Sequence, residues 1–366
     1  MSILLFIVIL ALLILAHEFG HFIVAKRSGI KVDEFGIGFP PKLFSKKIGE
    51  TKYSLNLFPV GGFVKIFGET PDCDSISGPD AHRSFVNKPK YVQAAVLSAG
   101  VVFNVLLAWI LISSGFMAGL PSSVAAAPKG AVIRDVSIVV TNVLPDSPAE
   151  EAGLRPGDKI VALVEGKREL LNPTTPQVQE FISASGGVEV GVTFKRGKAP
   201  EERLFMIPTE GIIDKPAIGI AMDEIGIVRL LPHLALWEGA KLTAALTQAT
   251  LLGIMGFIAG IFTGSADLSA IAGPVGIVSI VGEASQFGFI YLLSLTALIS
   301  INLAIINLLP FPALDGGRLL FLLIEVIKGS PIKPAVANTT NAIGFALLIF
   351  LMVVITYSDI LKIVTG

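Results

Sequence analysis

The stretch "LLILAHEFGHFIVAK", residues 12–26, sets His17, Glu18 and His21 inside an apolar run from Ile3 to Ala25 that is long enough to cross a bilayer. Ionisable groups at bilayer depth cost on the order of 2.5–3.5 kcal/mol each on insertion scales, so three within five residues need a compensating partner. His17 and His21 stand four apart and project from one helix face, and Glu18 follows the first of them. The pattern is H-E-x-x-H, in which two neutral imidazoles can hold Zn²⁺ and the carboxylate can serve as general base. By itself it is weak, because three fixed positions in five recur by chance. The bland alternative is that the groups sit at the inner boundary of the bilayer and are simply solvated.

Composition narrows the choice. Hydrophobic residues make up 52% of the 366 and charged residues 16%, which marks a membrane protein. A net charge of −1 leaves no footprint for nucleic acid. The single Cys73 excludes both a disulfide framework and a thiolate zinc cluster, so any metal must use His and carboxylate. No basic residue precedes the first apolar run, and Lys26 and Arg27 follow it. The run therefore reads as a retained helix rather than a secretory signal, with the loop after it cytoplasmic and Met1 outside.

Along the chain, "TKYSLNLFPVGGFVKIFGE" alternates apolar and polar residues over Lys52–Leu57, is punctuated by Pro59, Gly61 and Gly62, and resumes over Phe63–Phe67. It reads as a short membrane-associated β hairpin or paired extended segments. Asp72 to His82 reads as a flexible loop. A second apolar helix runs from about Tyr91 to Met117 and returns the chain outside, with Ser98, Gly100 and Asn104 its less apolar points. After the linker "GLPSSVAAAPKG" the composition becomes that of a small α+β domain, residues 131–208. Strands are predicted over Ser137–Val143 and Lys159–Val164, with a helix capped at Thr175 and a hairpin turning near Gly197. Its "VLPDSPAEEAGLRPGDKIVAL" resembles the PDZ signature, Gly153, Leu154, Gly157 and Asp158 matching the turn. In that family a groove between strand and helix takes an extended peptide, such as a C-terminus, by strand addition. The alternative is a packing domain without a peptide.

A catalytic zinc needs a third protein ligand and an open position. His82 lies in a basic loop and His233 in the outer segment, whereas Asp315 ends 31 uncharged residues in "INLLPFPALDGGRLL", where Gly316 and Gly317 permit close backbone approach. Asp315 could instead cap the helix that follows it.

With these pieces assembled, the chain resembles the site-2 protease family of intramembrane zinc metalloproteases, in its bacterial regulator-of-sigma-E protease branch. "HEFGH", "YSLNLFPVGGFVKI", one PDZ-like unit and "SINLAIINLLPFPALDGGRLLF" occur in family order and span nearly the whole chain. The resemblance implies His17, His21 and Asp315 as zinc ligands and Glu18 as base. It also implies substrate contacts by Asn302, Asn307, Pro310 and Pro312 on the way to Asp315, with Asn307 a candidate for polarising the scissile carbonyl. Both asparagines could equally be hydrogen bonds between helices. Gly61 and Gly62 join them as candidate substrate-binding positions. Where the family's second helix has Gly-Pro before an Asn, this chain has Gly100 and Val101 before Asn104, and only one PDZ-like unit is visible.

The fold expected is a polytopic α-helical membrane protein with about four transmembrane helices, the β hairpin and the inserted domain. Residues 1–120 form one half of the membrane core and 284–366 the other, joined through 209–283. Asp315 must lie at the depth of His17 and His21, so Leu242–Ala266 is read as a non-spanning or re-entrant segment, although hydropathy alone would count five spans. The function expected is hydrolysis, in the inner membrane and near its cytoplasmic side, of peptide bonds in or near transmembrane segments of single-pass proteins. Anti-sigma factors and remnant signal peptides are examples of such substrates. Either edge, Lys52–Leu57 or Phe63–Phe67, could hold a locally unwound substrate by strand addition. The competing readings are a non-catalytic PDZ-bearing scaffold or chaperone and a metal transporter, the latter disfavoured by the single polar cluster and the lack of an inverted repeat.

Overall fold

The computed structural model describes residues 1–70, 72–197, 199–209, 215–265 and 272–365. It divides into two compact units, one of residues 1–112, 239–285 and 292–366, the other of 113–238 and 286–291.

In the first unit, α1 (Ser2–Arg27) carries the H-E-x-x-H residues two thirds of the way along. It leads to β1 (Val32–Ile48) and β2 (Thr51–Ile66), which turn at Gly49–Glu50. The pairing differs from a simple hairpin. Residues 34–37 of β1 stand opposite 52–55 and also opposite 62–65, and 44–48 pair with 51–55. Lys52–Leu55 is thus enclosed between neighbours, while among the described residues Phe63–Ile66 has β1 on one side only. The two segments do not pair with one another, because each finds its partner in β1, whose "VDEFGI" the alternation in 52–67 could not reveal. Of the two edges expected from sequence, the second is free among the described residues. The residues read as a loop after it contain a short helix, α2 (Cys73–Ser77), capped by the Asp72 side chain accepting from the Ser75 N–H at 2.8 Å.

The long helix α3 (Lys90–Ala118) lies antiparallel to α1. Phe22 and Ala25 pack with Val96 and Leu97, and Ile9 and Leu13 with Leu107. The helices touch through small residues: a Cβ at Gly20 would stand 2.5 Å from the Ala99 carbonyl oxygen.

The second unit holds a seven-stranded antiparallel sheet. Its strands are β3 (Leu120–Ser123), β4 (Val132–Val143), β5 (Lys159–Glu165), β6 (Arg168–Leu171), β7 (Val190–Lys195), β8 (Glu201–Met206) and β9 (Ile220–Arg229), in the order β3-β9-β4-β5-β7-β8 with β6 beside β5. Helices α4 (Pro148–Glu151) and α5 (Thr175–Ala184) accompany them. The sheet is wider than residues 131–208. Part of the stretch read as linker is strand β3, which needs β9 as partner, and that pairing lies a hundred residues away. The helix cap falls one residue before Thr175, at Thr174, whose N–H donates to Gln177 Oε1 at 2.8 Å. Leu163, Val178, Phe181, Val190, Val192 and Phe194 form a core that excludes solvent. In the turn singled out by sequence, Gly153 and Gly157 have φ of +91° and +93°, and Asp158 is fully buried against Arg196 at 2.7 Å.

The chain continues with α6 (Pro232–Thr263), α7 (Pro274–Phe287), α8 (Phe289–Leu308), α9 (Asp315–Lys328) and α10 (Pro334–Thr365). Helices α1, α3, α6, α8 and α10 are each long and apolar enough to cross a membrane. Most of the segment expected to be non-spanning, residues 242–263, therefore lies within one continuous helix, α6, none of whose most apolar stretch is buried, while its last residue, Ala266, lies outside the described residues. Between α8 and α9 the link folds back so tightly that a Cβ at Gly316 or Gly317 would stand 2.1 Å from the Leu309 oxygen or 2.2 Å from that of Phe311. Two consecutive glycines are required there, and they set Asp315 at the first turn of α9.

Candidate metal centre

One face of α3 meets one face of α1 at residues spaced four apart, Val96, Gly100 and Asn104. A Cβ at Gly100 would lie 2.5 Å from both His17 Cε1 and His21 Nε2, so glycine alone lets the helix lie against the two imidazoles. Both histidines are 8% exposed. His21 Nδ1 is 2.8 Å from the Val96 carbonyl, which can only accept, so the ring proton sits on Nδ1 and Nε2 carries a lone pair.

The three residues chosen from sequence converge. Asp315 Oδ2 is 3.0 Å from His17 Nε2 and 3.3 Å from His21 Nε2, and the two nitrogens are 3.2 Å apart. Among the described residues, Asp315 Oδ2 is nevertheless a buried oxygen that accepts no hydrogen bond. Proximity and lack of a bond agree once the His21 lone pair is seen to face the carboxylate lone pairs. Such an arrangement is repulsive unless a cation sits within it. A tetrahedral zinc with arms of about 2.0–2.1 Å has ligand-to-ligand edges of about 3.3 Å, close to the separations found here. Two imidazoles and a carboxylate therefore fit the metal implied by sequence. The carboxylate of Asp315 faces the histidines, not the backbone of its own helix, which removes the capping alternative.

Glu18, half-buried, lines a cavity of about 230 Å³ with His21, Asp315, Phe63, Val64 and Arg318. The free edge of β2 thus forms a wall of this cavity. Gly62 brings that edge close, since a Cβ there would be 3.7 Å from Glu18 Cγ and 3.0 Å from the Gly36 oxygen. Gly61, at φ +111°, packs against the ring of Phe39. Arg318, one turn beyond Asp315, is paired with Glu69 on the same wall.

The other expected positions are not drawn into the cluster. Asn302 and Asn307 are half-buried on α8, and among the described residues neither is hydrogen-bonded to it. Asn307 lies two turns beyond Ser300, on the same face, whereas Asn302 points elsewhere around the helix. Pro310 is exposed, and Pro312 packs under Gly344, where a Cβ would meet it at 2.6 Å.

From sequence Asn104 is a less apolar point of its helix and the asparagine matched to the family's second helix, with no place at the metal site assigned to it. It is fully buried, with its amide 3.3 Å from His17 Nδ1 and its backbone oxygen accepting from Ser300 Oγ at 2.8 Å. The available signal was a G-x-x-x-N spacing opposite H-x-x-x-H.

Comparison with known proteins agrees with this construction. Residues 5–351 match the model of peptidase family M50. A candidate zinc metalloprotease of Clostridium perfringens is 36% identical over 353 residues, covering 95% of each chain. Another from a Nostoc species is 34% identical, covering all of this chain and 97% of the relative. The zinc metalloprotease RasP of Geobacillus kaustophilus is 30% identical over 99% of this chain and 98% of its own. With a family match along nearly its whole length and a site of the composition a metallopeptidase requires, the chain belongs to peptidase family M50, the site-2 protease family of membrane proteins.

Proposed function

We propose that the protein is an intramembrane zinc endopeptidase in which His17, His21 and Asp315 hold the metal and Glu18 is the general base. The observation that carries this reading is the meeting of three metal-binding atoms beside Glu18, in a cavity walled by an unpaired strand edge. Bound zinc would polarise the scissile carbonyl and bring the pKa of a water toward about 7. Glu18 accepts the proton of the attacking water and returns it to the departing amine nitrogen. Asn307, on the α8 face that carries Ser300, is the candidate for stabilising the developing oxyanion, and Asn302 and Pro310 for contacting substrate.

The substrate is a transmembrane segment of a single-pass protein. Helical carbonyls are already hydrogen-bonded, so the segment must be unwound before attack, and Phe63–Ile66 offers it backbone partners. In the sheet unit, a groove beside α5 lined by Gln179, Ile182, Ile218 and Ile220 suits a PDZ-like domain binding a peptide C-terminus.

We place α1, α3, α8 and α10 across the inner membrane, with the site near its cytoplasmic side, the PDZ-like domain outside and α6 along the outer interface. Support comes from α7. A Cβ at Gly282 would stand 2.7 Å from Ser2 Oγ, and Val281 packs with Ile9 and Leu13, so α7 lies beside the first half of α1. Helix α3 has already returned the chain to that side, and α7 is too short, about 21 Å at 1.5 Å per residue, to reverse a full crossing by α6. An intact constellation disfavours the scaffold reading. Glu18→Gln is expected to abolish cleavage of a membrane-embedded substrate while zinc stays bound; persistent proteolysis by that variant overturns the assignment.

A further inference from the structure

The two histidines are held differently. His21 gives its Nδ1 proton to a main-chain carbonyl, that of Val96, which fixes the tautomer without a side chain. His17 Nδ1 has instead the amide of Asn104, two turns further along the same face of α3. An amide presents either its NH₂ or its oxygen, the two being exchanged by half a turn of the side chain. If the NH₂ faces Nδ1, then His17 must carry its proton on Nε2, in the middle of the cluster, and the Asn104 Oδ1 is left buried with no partner. If the oxygen faces Nδ1, it accepts the ring proton, the NH₂ takes the unpartnered place, and the His17 Nε2 lone pair is freed toward Asp315 and His21.

We infer that Asn104 is a positioning residue for the metal site, its side-chain oxygen accepting the Nδ1 proton of His17 and so presenting Nε2 as a ligand. The inference rests on the zinc reading above. Outer partners of this kind fix ring orientation and raise ligand basicity, and their loss typically costs about 10–100-fold in metal affinity. The asparagine is itself anchored: Ser300 Oγ donates to its backbone oxygen, tying the orienting residue to α8, the helix that leads to Asp315. Gly100, midway between Val96 and Asn104, keeps the space between both holders open for the rings.

The test is zinc competition against a chelator with the full-length protein in detergent, comparing the parent with Asn104→Leu and Asn104→Asp. The expected result is a loss of zinc affinity of about 10–100-fold for Leu and affinity within about threefold of the parent for Asp, which keeps an acceptor oxygen. The thermal midpoint of the metal-free proteins serves as the measure of folding. Should Asn104→Leu fail to fold, Asn104→Ala carries the same expectation. Unchanged zinc affinity in the folded Leu or Ala variant, with the parent binding zinc, overturns this inference alone. A parent that binds no zinc overturns the function proposed above together with it.

Discussion

Both units of this protein bury apolar side chains, but they differ in what they expose and in the polar groups they take inside. In the sheet unit Leu163, Phe181 and Phe194 are at most 1% exposed, and a charged residue taken inside, Asp158, is matched by Arg196. In the helical unit large apolar residues face outward, Phe345, Leu347 and Phe350 on α10 among them, while His17, His21, Asn104 and Ser300 lie inside. Water drives the first arrangement, because removing apolar surface from it is favourable. Lipid cannot drive the second, since its tails are as apolar as leucine. Close packing and hydrogen bonds between helices hold it instead, and polar groups gather where they can satisfy one another. The difference teaches that the candidate site is a polar cluster set between apolar contacts of helices whose outer faces are also apolar.

The harshest way to break that view is to fill the cradle. Gly100→Val should eliminate zinc binding and proteolysis together, because even a Cβ collides with both imidazoles; metal analysis of the purified variant decides it. The same deletion made in each unit sharpens the contrast. Leu163→Ala should destabilise the sheet unit by about 2–5 kcal/mol, read as earlier hydrogen exchange and a lowered melting transition. Val64→Pro, on the free edge, should slow cleavage of a helical substrate several-fold while leaving zinc content unchanged. Leu347→Ala, half exposed on α10, should change stability by less than about 0.5 kcal/mol, and an effect as large as that of Leu163→Ala would contradict the inside-out arrangement.

The smallest effect concerns pH in the loop. Arg83, and after it Lys26, hold the Glu50 carboxyl at about 2, below its ordinary 4.5. A depressed carboxyl contributes stability fully above its unfolded value and loses it as pH falls through the folded one. Tightening of the β1–β2 turn by Glu50 should therefore persist at neutral pH and fade between about 4.5 and 2, measured as protease access to the turn.

The site was legible in sequence to the extent that local rules fix it. Helical periodicity puts His17 and His21 on one face, and the cost of charge at bilayer depth makes the cluster conspicuous. Gly316 and Gly317 announced a close approach, though not onto which carbonyls. Asn104 stood out as a polar point but carried no role, because one asparagine in an apolar helix is an ordinary polar contact until its partner is known. Which of the two strand edges stays free was left open for a related reason: alternation identifies a strand but carries no information about its neighbours. The width of the sheet unit stayed hidden likewise, β3 being too short to stand out without β9.

By itself, then, the sequence determined that the chain enters a membrane, that two imidazoles and a carboxylate ride on its first helix, and that a separate α+β unit is inserted between two apolar halves. These follow from period and composition, which act within a few residues. Only the tertiary structure decided that Asp315 reaches the histidines across 294 residues of chain, that Phe63–Ile66 is the edge left open, and that Asn104 stands behind His17. Each depends on which helix face meets which, and that is set by the fit of glycine backbones and buried hydrogen bonds that no short window of sequence contains.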